Sequence, residues 1–155
     1  MSVQKILNQW QRKNCGVWAT MGILLHKWVV FSIDDYQDKS SPYPAGVENI
    51  FIEWWLIEKF LPVKTPALVD YWLRRGEYLL SWTSRWDFSL YDNKWWVIEF
   101  DERTRHFFYI CENLWDKWKI GNSWWEWWWD KWYWYILKSD FAKLSIPKRI
   151  VLKNK

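Results

Sequence analysis

The chain has 155 residues, of which 50% are hydrophobic and 26% are charged, and its formal net charge is +4. This length predicts one domain with a hydrophobic core. No apolar run is long enough to span a membrane, and the two distant cysteines, Cys15 and Cys111, exclude a disulfide framework. The start, MSVQKILNQW, lacks the apolar stretch of a secretory leader, so we expect a soluble cytoplasmic protein.

Helical spacing dominates the first half of the chain. Apolar residues from Val17 to Trp28 recur every three or four positions, which predicts a helix with one buried face and with Cys15 at its start. A loop rich in Pro, Ser and Asp follows over residues 34–46. A second, short helix is predicted from about Pro66 to Arg75, and it leads directly into a strand.

The second half of the chain has the pattern of a β structure. Its strand-like segments are WWVIEF, HFFYICE, DKWKIGNS and WYWYIL, with polar turns between them. A helical half followed by a β half predicts an α+β domain, with residues 1–75 mainly helical and residues 76–140 forming the β part. Residues 141–155 are rich in Lys and Arg, which predicts a basic tail surrounded by solvent.

Tryptophan and glycine have unusual frequencies in this chain. It holds 19 Trp but only 5 Gly, whereas ordinary glycine usage would give roughly 11 in a chain of this length. The stretch GNSWWEWWWDKWYWYI over residues 121–136 alone has seven Trp. An excess of one residue beside a deficit of the other suggests a common origin.

The residues that can perform chemistry are few. The two cysteines and two histidines lack the close spacing of zinc ligands, so we expect neither a metal nor a cofactor. Cys15 lies at a predicted helix N-terminus, where the helix dipole favours a thiolate. His106 opens the strand HFFYIC and Asn122 follows the next strand, so adjacent antiparallel strands could bring these two together. Equally, Cys15 could be an ordinary core residue and His106 a surface residue.

A resemblance to a known family favours the chemical interpretation. Residues 121–136 resemble the C-terminal signature of papain-family cysteine peptidases, N-S-W-G-x-x-W-G-x-x-G-Y-x-x-I. The matching positions are Asn122, Ser123, Trp124, Trp128, Tyr133 and Ile136, and the family glycine positions hold Trp125, Trp129 and Trp132. As in the family, sixteen residues separate His106 from Asn122.

The start of the chain resembles the same family. The family has N-Q-G six residues ahead of its nucleophile, and this chain has Asn8, Gln9 and Trp10, with Gln9 six residues before Cys15. Directly after the nucleophile, where the family has Trp, this chain has Gly16. Three residues before the nucleophile, where the family has a half-cystine, this chain has Arg12. The chain is shorter than family members, mainly between the Cys15 helix and the His106 strand.

The resemblance implies a shortened papain-like fold and a peptidase that acts on a peptide or protein substrate. The implied roles are Cys15 as nucleophile, His106 as its acid–base partner, Asn122 as the group that orients His106, Gln9 as an oxyanion donor and Trp124 as a shield of the His–Asn hydrogen bond. No nucleic-acid partner is expected, and neither the substrate pocket nor the oligomeric state is indicated.

The same resemblance suggests an origin for the tryptophans. Some bacterial lineages read UGA as glycine, while a common alternative translation table reads it as Trp. Translation with the wrong table would turn glycines into Trp, and this explains Trp10, Trp125, Trp129 and Trp132 at family glycine positions. Further candidates for glycine are Trp28, Trp54, Trp55, Trp82, Trp95, Trp115 and Trp127, whereas Trp18, Trp118, Trp124 and Trp128 match aromatic positions of the family.

Other functions remain open at this stage. A papain-like fold also suits a catalytically inactive binding protein or an acyl transferase that is not a peptidase. Taken literally, the many Trp and the basic charge would suit an interfacial or nucleic-acid-stacking module. The coding triplets at Trp10, Trp125, Trp129 and Trp132 distinguish the last possibility from the others.

Overall fold

The structure is a computed structural model that describes residues 15–29, 31, 44–53, 56–83, 90–91, 94, 97–98, 106–121 and 133–153. The helices of this part are α1 (Cys15–His26), α2 (Pro44–Glu53), α3 (Pro66–Arg74) and a 3-10 helix (Lys138–Lys143). The strands are β1 (Ile57–Pro62), β2 (Leu79–Thr83), β3 (Leu90–Tyr91), β4 (Val97–Ile98), β5 (His106–Leu114), β6 (Lys117–Gly121), β7 (Tyr133–Leu137) and β8 (Lys148–Leu152).

The strands of the described part form one sheet. Its order is β1-β8-β2-β5-β6-β7-β3-β4, and every neighbouring pair is antiparallel. The predicted α+β class is therefore confirmed. None of the described helices reaches the length and hydrophobicity that a membrane-spanning helix needs.

The central strand β5 is buried on both faces over residues 107–110, which explains its continuous apolar run FFYI. Phe107 and Tyr109 face a core cluster that includes residues of α1 and α2. Phe108 and Ile110 face a second cluster on the opposite side, together with Val69 of α3. Side chains alternate across a strand, so one uninterrupted apolar segment serves two cores.

The predicted helix after Cys15 is present, but its burial differs from the expectation. Val17, Ala19, Met21, Ile23 and Leu24 are all buried, so α1 is enclosed on most sides and does not have a single buried stripe. The helix lies between the sheet and α2, and this position buries several of its faces. Three- and four-residue spacing indicates a helix but does not show how many neighbours surround it.

The predicted helix near Pro66 is confirmed in both position and length. Thr65 caps its start, where the Thr65 hydroxyl accepts a hydrogen bond from the Leu68 amide (3.2 Å). Pro66 occupies the first turn, where a missing N–H costs nothing. The helix ends at Arg74, and Gly76 follows with φ of 83°.

The expected solvated tail over residues 141–155 is wrong. Strand β8 lies inside the sheet between β1 and β2, and Ile150 is buried. The basic residues of β8 keep partners at its edges: Lys148 Nζ lies 3.0 Å from Glu48, and the Arg149 guanidinium lies 4.1 Å from the centre of the Trp72 ring. The positive charges predicted a solvated segment, but a strand inside a sheet can also carry them, because long basic side chains extend from the buried backbone toward solvent.

Candidate active site

The start of α1 lies directly against the start of β5. A methyl group added to Gly16 would lie 2.6 Å from Val47 Cγ2, which is closer than real atoms approach, and 3.0 Å from Phe107 Cδ2, which is a tight contact. Glycine at position 16 therefore lets the first helical turn approach the sheet.

The other end of α1 is also attached to the sheet region. The His26 ring stacks on Tyr78 with 3.6 Å between ring centres, and its Nε2 donates to the Gly76 carbonyl at 2.9 Å. Lys27 forms an ion pair with Glu77 at 2.7 Å. These contacts precede β2, so α1 is held at both ends along the β2–β5 pair.

Cys15 and His106 each open an element, and the structure describes them by backbone position. Cys15 is the first residue of α1, and His106 is the first residue of β5, where it pairs with Thr83 of β2. Cys15 directly precedes Gly16, and His106 directly precedes Phe107, so each is next in the chain to one of the two residues in this contact. The start of the Cys15 helix therefore lies against the start of the central strand that His106 opens.

The remaining predicted site residues, Gln9, Asn122 and Trp124, lie outside the described residues. Asn122 directly follows Gly121, which is the last residue of β6 and pairs with Tyr109 of β5. A side chain on Gly121 would run into the Tyr109 ring, so glycine allows the close pairing of the two strands there. Asn122 therefore directly follows β6, and β6 pairs with β5, the strand whose first residue is His106.

The electrostatics at the start of α1 favour a negative charge. The first turn of this helix contains no Asp or Glu. Free backbone N–H groups and the positive end of the dipole stabilise an anion at such a terminus.

Cys111 has the opposite environment. It lies in β5 where the pairing with β6 shifts register, and its Sγ donates to the Lys119 carbonyl at 3.4 Å. Burial raises the pKa of the Cys111 thiol to about 12, and the charge of nearby Lys119 only partly opposes this. Cys111 is therefore protonated at neutral pH and unsuited to nucleophilic attack.

A pocket beside the start of β5 was not foreseen from the sequence. It is small, with room for about one water molecule, and is lined by Glu48, Leu80, Ser81, Trp82, Phe107, Ser145, Ile146 and Lys148. The Trp82 indole N–H is buried there without a hydrogen-bond partner. The register of β2 on β5 pairs Trp82 with Phe107, and α2 and β8 supply Glu48 and Lys148; no spacing in the sequence reveals this assembly.

Comparisons of the chain with models of known protein families, with curated proteins and with solved structures found no match.

Proposed function

We propose that the protein is a cysteine peptidase of papain-like fold that hydrolyses peptide bonds through an acyl-enzyme. The observation that carries the proposal is the contact between Gly16 and Phe107, which joins the start of the Cys15 helix to the start of the His106 strand. The proposal requires the thiol of Cys15 and the imidazole of His106 to meet where these two elements start. The family resemblance at both ends of the chain supports the same pair.

In the proposed reaction, the Cys15 thiolate attacks the carbonyl carbon of the scissile peptide bond. The Gln9 side-chain N–H and the Cys15 backbone N–H donate to the resulting oxyanion. The His106 imidazolium gives its proton to the leaving amine as the C–N bond breaks, and Cys15 retains the acyl group. Water, deprotonated by neutral His106, then attacks the thioester and restores the Cys15 thiolate and the protonated imidazole. Asn122 holds the imidazole in the productive orientation throughout.

We expect the pocket beside Phe107, which has room for about one water molecule, to offer a peptide substrate an apolar contact surface. Its walls include Leu80, Trp82 and Ile146, and it opens next to the strand that His106 begins. Apolar walls favour an apolar substrate side chain. The ion pair between Lys148 and Glu48 at 3.0 Å also borders the pocket, and it compensates both charges there.

The proposal predicts an acyl group on Cys15 during turnover. The test uses the glycine-restored chain, defined as the chain with glycine at residues 10, 125, 129 and 132. An N-acylated amino acid 4-nitrophenyl ester with an apolar side chain should release a burst of about one nitrophenol per enzyme, because deacylation follows as a separate step. Acid quenching and pepsin digestion at low pH should locate the acyl mass on the Cys15 peptide.

Two variants serve as controls for this test. Cys111→Ala should retain the burst, since the buried Cys111 thiol takes no part in the reaction. Cys15→Ala should lose both the burst and the acyl mass. An acyl group on Cys111, or release of nitrophenol that is unchanged in Cys15→Ala, would contradict the proposal.

A further inference from the structure

Two tryptophans have a backbone conformation that normally requires glycine. Trp28 has φ of 60° and Trp115 has φ of 64°, and among the described residues other than glycine only these two have positive φ. Left-handed backbone brings a Cβ close to the carbonyl oxygen, and bulky residues rarely adopt it. Two such residues of one rare type in one chain call for a common explanation.

Trp28 occupies the residue that ends α1 in a Schellman motif. The Val29 amide donates to the Leu24 carbonyl (3.0 Å), and the Trp28 amide donates to the Leu25 carbonyl (3.1 Å). In this motif the residue with positive φ is most often glycine. Val29 packs against the core cluster that contains Leu24, which supplies the hydrophobic contact that often accompanies the motif.

Helix α3 ends with the same hydrogen bonds and has a glycine at the corresponding residue. The Glu77 amide donates to the Trp72 carbonyl (3.0 Å), and the Gly76 amide donates to the Leu73 carbonyl (3.0 Å). Gly76 has φ of 83°. The chain therefore uses glycine in this motif at α3 and carries Trp28 at the equivalent place in α1.

Trp115 begins the two-residue turn between β5 and β6. Leu114 pairs with Lys117, so the turn consists of Trp115 and Asp116. Positive φ at Trp115, without positive φ at Asp116, is the pattern of a type II′ turn. Glycine is the residue preferred at the first central position of that turn.

The two indole rings contribute no packing that would compensate the strain. Trp28 and Trp115 are each 92% exposed. Trp118, by contrast, is buried and donates from Nε1 to Asp70 Oδ1 at 2.8 Å. Trp118 is therefore part of the core, whereas Trp28 and Trp115 are not.

We propose that residues 28 and 115 are glycine in the natural protein, each encoded by UGA. The argument uses backbone geometry and exposure, and it is independent of the papain resemblance that identifies other residues as glycine. The two positions end the Cys15 helix and connect the His106 strand to the strand that precedes Asn122. Both turns therefore hold elements that carry the candidate active site.

The coding sequence and the protein made by its natural host test this directly. UGA is expected at both codons, and tryptic peptides 28–39 and 106–117 from the host should each be lighter by one Trp-to-Gly difference. A UGG codon at either residue, or a Trp mass in either peptide, would overturn the proposal for that residue.

A stability comparison tests the same claim without the host. Trp28→Gly and Trp115→Gly are made singly in the chain that keeps all its other Trp residues. Each should raise the melting temperature by about 2–4 °C, because each relieves strained backbone. Trp28→Ala and Trp115→Ala are matched controls that remove the indole but keep the Cβ, so they should give no comparable gain. Equal gains for alanine and glycine, or no gain for glycine, would contradict a glycine requirement.

Discussion

Cys15→Ala in the glycine-restored chain should reduce peptide hydrolysis by a factor of about 10⁴ or more, the usual cost of removing the nucleophile of a catalytic triad. His106→Ala should cost nearly as much, because triad members act as a unit. Asn122→Ala should leave partial activity, since the proposed amide orients the imidazole but transfers no proton. The measurement is kcat/KM for a fluorogenic peptide.

The matched control for this series is Cys111→Ala. It removes the other thiol of the chain, which is buried in β5 five residues after His106 and takes no part in the proposed chemistry, so kcat/KM should remain close to that of the parent. Circular dichroism should show that all four variants keep the α+β fold. Hydrolysis that survives Cys15→Ala would rule out the proposed nucleophile.

Gly16→Ala should damage both stability and activity. The added methyl group would lie 2.6 Å from Val47 Cγ2 of α2 and 3.0 Å from Phe107 Cδ2 of β5, so α1 must shift away from both. Overpacking of this kind lowers the free energy of unfolding by about 1–3 kcal/mol. The higher helix propensity of alanine raises it by about 1 kcal/mol, so over most of that range the net effect is a loss of stability. Because Cys15 and His106 are the chain neighbours of Gly16 and Phe107, a displacement of about 1 Å should lower kcat/KM by about 10²-fold.

A second substitution isolates the cause. Val47→Ala removes the nearest clashing atom, so the double variant should lose less unfolding free energy than the two single variants together, by about 0.5–3 kcal/mol. Urea unfolding measures this coupling, and peptide hydrolysis should recover in parallel. Full activity in Gly16→Ala alone would show that this contact does not position the reacting groups.

Local sequence patterns predicted several elements closely. The helix after Pro66 has a threonine cap, a proline in its first turn and a glycine after its end, and all three signals act within a few residues. The segment HFFYICE was predicted as a strand from its apolar run, and it became the central strand β5. Where the cause of a structure is local, the sequence alone indicates it.

The features that the sequence did not reveal depend on distant contacts. Strand β8 looked like a basic tail because its position between β1 and β2 depends on pairing with residues far back in the chain. The pocket beside Phe107 required the register of β2 on β5. At the candidate site, matched spacing suggested Cys15 and His106, whereas the approach of α1 to β5 at Gly16 emerged only from the packing.

The most direct test of the account is the rate of iodoacetamide alkylation at each cysteine of the glycine-restored chain, measured against pH. Cys15 should react readily at mildly acidic pH, well below the ordinary thiol pKa of about 8.5, because the helix N-terminus and a neighbouring imidazolium stabilise its thiolate. Cys111, whose pKa burial raises to about 12, should react slowly across the same range. His106→Ala should shift the Cys15 profile toward higher pH. A Cys15 rate that rises only near pH 8.5 and does not respond to His106→Ala would contradict the proposed catalytic pair.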